Sequence, residues 1–179
     1  SGTYTYQSPE FATVQSGVDS NLNGDSAGDR TIINPNGAAN VGSGVVAYNA
    51  TGQQVPLGSA SIVAYVASNP NARYIQAQSG AYANGGRNTY PLGHINNIDA
   101  ALMKKFNYKE RYSLEFGAQA FNVFNHAQFV GGFISDVTPF GTNTINRTFL
   151  VPNSPVFGQY QQYFPSNSRV LQLVARFHF

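Results

Sequence analysis

In Leu171-Gln172-Leu173-Val174-Ala175-Arg176-Phe177-His178-Phe179 every odd position is apolar, while the even positions hold Gln172, Arg176 and His178 beside Val174. Side chains alternate across a strand with a period of two, so this segment dictates a strand with two unlike faces, one for lipid or a core and one for water. The pattern recurs twice upstream. Over 112–124, Tyr112, Leu114, Phe116, Ala118 and Ala120 oppose Ser113, Glu115, Gly117 and Gln119. Over 98–106, Ile98, Ala100, Leu102 and Phe106 oppose Asp99, Met103 and Lys105, with Lys104 on the apolar side near the strand end, where a long side chain snorkels to the boundary.

Composition points the same way. Only 10% of residues are charged, well below the roughly 25% of soluble domains, and Tyr, Phe, Val and Thr suit pleated surfaces better than helices. No run of about 18 apolar residues exists for a membrane-crossing helix, whereas 112–124 has the length of a tilted membrane-spanning strand. The fold class expected is therefore all-β: antiparallel strands of an outer-membrane-type barrel with long irregular loops.

Asn107-Tyr108-Lys109-Glu110 is a polar connection of hairpin length, so 98–106 and 112–124 are expected to pair. A third strand is expected over 169–179, separated by a Gly-, Pro- and Asn-rich loop over 125–168. Upstream, Thr3-Tyr4-Thr5-Tyr6 reads as a strand end before Ser8-Pro9, followed by a long Gly-, Asn- and Ser-rich region. Two regions result, 1–92 with a strand end and long loop, and 93–179 with the C-terminal strands. Within the first, 59–68 reads as a short helix that stops before Asn69-Pro70. Four strands cannot close a barrel, which needs about eight, so this chain is too short to close one alone.

Arg87-Asn88-Thr89 and His94-Ile95-Asn96-Asn97-Ile98-Asp99, followed by Leu114-Glu115-Phe116 and Phe121-Asn122-Val123-Phe124-Asn125-His126, resemble the C-terminal region of TonB-dependent outer-membrane receptors. The closest likeness is to the Oar-like branch, whose members often have a carboxypeptidase-regulatory-like N-terminal domain. Asp19-Ser20-Asn21-Leu22-Asn23-Gly24-Asp25, with Asp29-Arg30 after it, is similar to an Asp/Asn-rich loop of the same family. The resemblance implies that Leu171, Leu173, Ala175, Phe177 and Phe179 form an assembly signal read by the barrel-assembly machinery through strand addition. It also implies a plug and further strands in the rest of the receptor chain, outer-membrane lipid around it, and a bacterial outer-membrane location. No plug is found here, and the chain begins at Ser1 without Met, as expected of a processed product or part of a longer polypeptide.

Chemistry-bearing residues are few. Asp19, Asn21, Asn23, Asp25 and Asp29 place oxygen ligands at alternate positions with Gly24 at the sixth, a pattern that can wrap calcium, but Arg30 stands where an EF-hand has its closing Glu. The competing interpretation is a solvated Asx-rich turn. His94, His126 and His178 lack metal-ligand spacing, and Asp99, Glu110, Glu115 and Asp136 include no carboxylate pair that the sequence brings together. There are no cysteines. Asn49-Ala50-Thr51 and Asn146-Arg147-Thr148 match the glycosylation pattern, which a bacterial resemblance makes unattractive. Tyr108, Phe121, Phe124, Tyr160, Tyr163 and Phe164 are candidates for the aromatic girdles of a barrel. With a net charge of +2 and no basic stripe, nucleic acid is not an expected partner.

Three functions compete. The first is a receptor segment whose whole protein imports a nutrient such as a metal chelate or glycan. The second is a structural subunit at the cell surface, in which copies of a receptor-derived fragment polymerise into an extracellular filament by β-strand addition. The third is a soluble sugar-binding or hydrolytic β-domain, for which no site residues stand out; catalysis is not expected.

Overall fold

The computed structural model describes residues 1–109, 111–129 and 148–179. Its strands, in chain order, are β1 (Gly2–Gln7), β2 (Phe11–Ala12), β3 (Ile32–Ile33), β4 (Ala38–Ser43), β5 (Val45–Asn49), β6 (Gln54–Val55), β7 (Ile62–Ala67), β8 (Ala72–Ile75), β9 (Tyr90–Pro91), β10 (Ile95–Tyr108), β11 (Tyr112–Phe121) and β12 (Val170–His178). Two 3-10 turns, Thr148–Leu150 and Tyr160–Gln162, are the helical elements among the described residues. The fold is all-β without a closed barrel, and it divides into two compact units.

The first unit is a four-stranded antiparallel sheet in the order β1-β10-β11-β12. Its longest strand covers and extends the 98–106 alternation, and β10 pairs with β11 so that Leu102 faces Ala118 and Phe106 faces Leu114. Tyr108 pairs with Tyr112, so the connection between the two strands is short, and Lys109 at its start is in the left-handed region at φ 51°. Gln7 lies opposite Ile95 and Phe121 opposite Val170. The long connections therefore leave the sheet at one end and the tight turn closes the other, which is the asymmetry of outer-membrane barrels. The strand expected to reach residue 124 stops at Phe121. Asn122 and Asn125, at φ 53° and 52°, turn the chain out of the sheet, and Asn tolerates that conformation better than most residues.

The second unit is built from β2–β9 together with part of the long segment before β12. Its strands form three small sheets: β2-β9, β3-β8-β4 and β6-β5-β7. All pairings are antiparallel except β4 with β8. The region 1–92, expected to be a strand end and a loop, thus contains short sheets, and the helix expected over 59–68 is instead β7. Ile62-Val63-Ala64-Tyr65-Val66-Ala67 is β-branched and aromatic, and β5 supplies a partner for every residue of the strand except Val63, where the register shifts.

Inside this unit Phe149, Leu150, Ala72 and Ala77 are fully buried. Tyr74, Tyr90 and Phe157 form a triangle with ring centroids 5.7–5.8 Å apart at the tilted and edge-on angles that aromatic quadrupoles favour. Gly158, at φ 79°, passes beneath the Tyr90 hydroxyl where a Cβ would stand 2.6 Å from the oxygen. Burial, with Tyr74 and then Tyr160 adding to it, pushes the Tyr90 phenol above its usual value.

Candidate functional site

Because paired residues share a face, the register of the first unit assigns every side chain of its sheet to one side. One face presents Tyr4 and Tyr6 from β1; Asn96, Ile98, Ala100, Leu102, Lys104, Phe106 and Tyr108 from β10; Tyr112, Leu114, Phe116, Ala118 and Ala120 from β11; and Leu171, Leu173, Ala175 and Phe177 from β12. These side chains are largely open: Leu102 is 78% exposed, Leu171 69% and Leu173 85%. A contiguous apolar surface of this extent marks an interface with lipid or protein. The ten residues of β11 rise about 3.3 Å each, so at a tilt of about 40° they cross about 25 Å, the height of the apolar band of a barrel.

Tyr108, Tyr112, Phe106, Phe177 and Phe179 gather at the hairpin end. Tyr112 stacks on Phe177 at 6.1 Å and Phe177 on Phe179 at 6.1 Å. Tyr4 and Tyr6 lie at the opposite end, Tyr6 beside His94 at 5.8 Å. Lys104, the one charge on this face, has its Nζ 5.9 Å from the Phe106 ring, displaced toward the aromatic end. Of the other girdle candidates, Phe121 pairs with Val170 on the opposite face and Phe124 lies beyond the strand, while Phe164 is buried and Tyr163 packs on Phe149 at 5.4 Å. Tyr160 opens a 3-10 turn of the second unit. Alternation marks girdle positions only within strands, which explains why these residues could not be placed by type alone.

The opposite face carries the sheet's other charged and amide side chains together with Met103, Phe121, Val170 and Val174. Lys105, Glu115 and Arg176 form a cross-strand row, with Arg176 Nη1 3.7 Å from Glu115 Oε1, and Gln119 faces Gln172. Met103 covers Gly117, its sulfur occupying the space a Cβ there would need. His178 sits opposite Ser113 at the hairpin end.

At the end away from the hairpin, a buried amide cluster ties β10, β11 and β12 together. Asn122 Nδ2 donates to His126 O (3.0 Å) and Asn167 O (3.1 Å), while its Oδ1 accepts from His126 N (3.0 Å). Its own amide donates to Asp99 Oδ1 at 2.9 Å. Gln128 binds both backbone groups of Asn96 at 2.6 Å, and its Nε2 donates to His126 Nδ1 at 3.0 Å. Asn125 Oδ1 accepts from Arg169 N at the entrance to β12. The motif Phe121-Asn122-Val123-Phe124-Asn125-His126 thus closes the ends of strands. Gln128 and Asn167 escaped the sequence reading because nothing local distinguishes a buried amide from a solvated one.

The Asp/Asn loop folds on itself. Asp19 Oδ1 and Oδ2 accept from Asn23 N (3.1 Å) and Gly24 N (2.9 Å), Asn21 Oδ1 from Asn23 N, Asn23 Oδ1 from Asp25 N, and Asp25 Oδ1 from Ala27 N. Asp29 is buried, its Oδ2 accepting from Ser20 N at 3.3 Å. These are successive Asx turns, so a cation would have to draw the oxygens away from backbone amides. Among the described residues no three His, Asp or Glu side chains converge as metal ligands, and the three histidines stand apart. Asn49 Oδ1 accepts from the amides of Thr51 and Gln53 and caps the β5–β6 turn. Glu110, Asp136, Asn146 and Arg147 lie outside the described residues.

The family model described as an outer membrane beta barrel domain matches residues 1–172. No curated protein and no solved structure matches the chain.

Proposed function

The chain belongs to the family described as outer membrane beta barrel domain, and from that premise we propose that it supplies C-terminal strands of a TonB-dependent, Oar-like receptor in a bacterial outer membrane. The observation that supports this reading is the apolar face across β1, β10, β11 and β12, whose one charge is Lys104 and whose Asn96 lies at the end away from the hairpin, opposite a face that carries Lys105, Glu115, Arg176, Gln119 and Gln172. A sheet wet on one side and apolar on the other suits a barrel wall between lipid and lumen. The role is transport of a nutrient, a metal chelate or a glycan, and involves no catalysis by this chain. Its partners are the remaining strands and plug of the receptor, lipid, and the barrel-assembly machinery, which takes β12 by strand addition at its outer edge.

The test is uptake. Cells expressing the receptor should accumulate the nutrient only while the inner membrane is energised and the energy-transducing partner is present. Uptake unaffected by removing that partner would refute the TonB-dependent reading.

A second reading rests on the sheet edges. Within the described sheet β1 and β12 each pair on one side only, and an unpaired strand edge is a template for another copy. Copies joined β12 to β1 would form an extracellular filament. Fibres of this chain that persist in detergent-free buffer would favour it over the receptor.

A further inference from the structure

The second unit has two open cavities that share Gly28 and Arg30. The first, of about 330 Å³, is lined by Arg30, Arg87, Asp25, Thr13 and Gln15. The second, of about 500 Å³, is lined by Arg30, Asp29, Asn21, Leu22 and Tyr82. Both sizes fall within the roughly 300–1,000 Å³ of small-molecule pockets.

What lines them is unusual for a loop surface. Two guanidinium groups and two carboxylates face the cavities, and among the described residues none of the four is in an ion pair. Arg30 Nε donates to Gly28 O at 3.0 Å, which orients the guanidinium and leaves both Nη groups to donate elsewhere. Asp29 is 3% exposed, and the hydrogen bond from Ser20 N occupies Oδ2. A buried carboxylate with spare acceptor capacity beside a cavity favours a hydroxyl donor in that cavity. Arg87 has no partner among the described residues. Tyr82 is 89% exposed at the mouth, and Leu22 beside it is held at φ 61°, a conformation rare for a bulky side chain.

We propose that the two cavities form one binding site for a neutral saccharide. The charges of Arg30 and Arg87 balance those of Asp25 and Asp29, so a strongly charged ligand of either sign would leave the site unbalanced. Carboxylates and guanidiniums are planar forks that can each take two neighbouring hydroxyl groups, the carboxylates as acceptors and the guanidiniums as donors. Tyr82 supplies an apolar ring for the C–H face of a pyranose and a hydroxyl for its rim. That the bound sugar is also the transported cargo rests on the uptake reading above; the binding does not.

The test uses the full chain folded in lauryldimethylamine oxide micelles, which lack sugar headgroups. Saturation-transfer NMR is recorded with maltose, cellobiose, xylobiose and chitobiose, and with glucuronate and choline as charged probes. At least one neutral disaccharide should bind, more tightly than either charged probe, and Arg87→Gln and Tyr82→Ala, both at exposed positions, should each raise its Kd by tenfold or more. The proposal is overturned if none of the four binds at millimolar concentration, if glucuronate or choline binds more tightly, or if both variants bind like the wild type. Binding without energy-dependent uptake in cells would support the site and refute the transport reading.

Discussion

Leu173 lies in the central row of the sheet, with Ala118 beside it and Leu102 one strand further, all on the apolar face. An arginine at the bilayer midplane on the lipid side of a barrel costs about 2–4 kcal/mol, whereas the lumen side tolerates charge. Leu173→Arg should therefore destabilise the sheet by that amount, and Gln172→Arg, one residue away on the polar face, by much less. Urea unfolding in lipid vesicles measures both. This contrast was legible in the sequence, because alternation assigns each residue of 171–179 to a face without knowledge of the partner strand. Asn122 was not legible in the same way. It belongs to a quoted motif, but its role depends on Asp99 and Asn167 arriving from distant parts of the chain beside the nearby His126. Asn122→Ala would strip the hydrogen bonds of a buried amide, taking the donor from Asn167 O and one of two donors from His126 O, at a cost of about 1–3 kcal/mol. Hydrogen exchange should then quicken first at the ends of β11 and β12 nearest the cluster, and uniform protection along both strands would count against the role given to Asn122.

At the scale of elements, sequence reading succeeded where strands are long and two-faced and failed where they are short. In β10, β11 and β12 the period of two is sustained for nine residues or more. Strands such as β2, β3 and β9 have two residues each, too few for any period to register, and they exist because a partner lies opposite. The 59–68 segment, whose stop before Asn69-Pro70 suits a helix, is a strand because its β-branched and aromatic run pairs with β5. Packing in this second unit has a titratable signature. The Tyr90 phenol, buried beside Tyr74, holds its proton above the usual value near 10. The unfolded chain releases that proton first, so the stabilisation is complete below about pH 10 and is lost as pH rises through the folded value. Thermal melting followed by circular dichroism should fall steeply on that alkaline side. Tyr90→Phe, which cannot ionise there, should flatten the slope; an unchanged slope would mean that the phenol ionises alike in the folded and unfolded chains.

At the scale of the whole molecule, the account rests on one face of the four-stranded sheet meeting lipid and the other meeting water. Family membership over residues 1–172 and the asymmetry of one tight turn against long connections agree with that arrangement. The chain has no cysteine, so single cysteines can be introduced one at a time and labelled without background. The most direct measurement is nitroxide accessibility along β10 and β12 in lipid vesicles, at Ala100, Ala101, Leu102 and Met103 and at Leu171, Gln172, Leu173 and Val174, each replaced by cysteine. Labels at Ala100, Leu102, Leu171 and Leu173 should be relaxed by oxygen and shielded from a water-soluble nickel chelate, and the intervening labels should show the reverse. Accessibility without a period of two, or nickel contact on both faces, would contradict the membrane-barrel account.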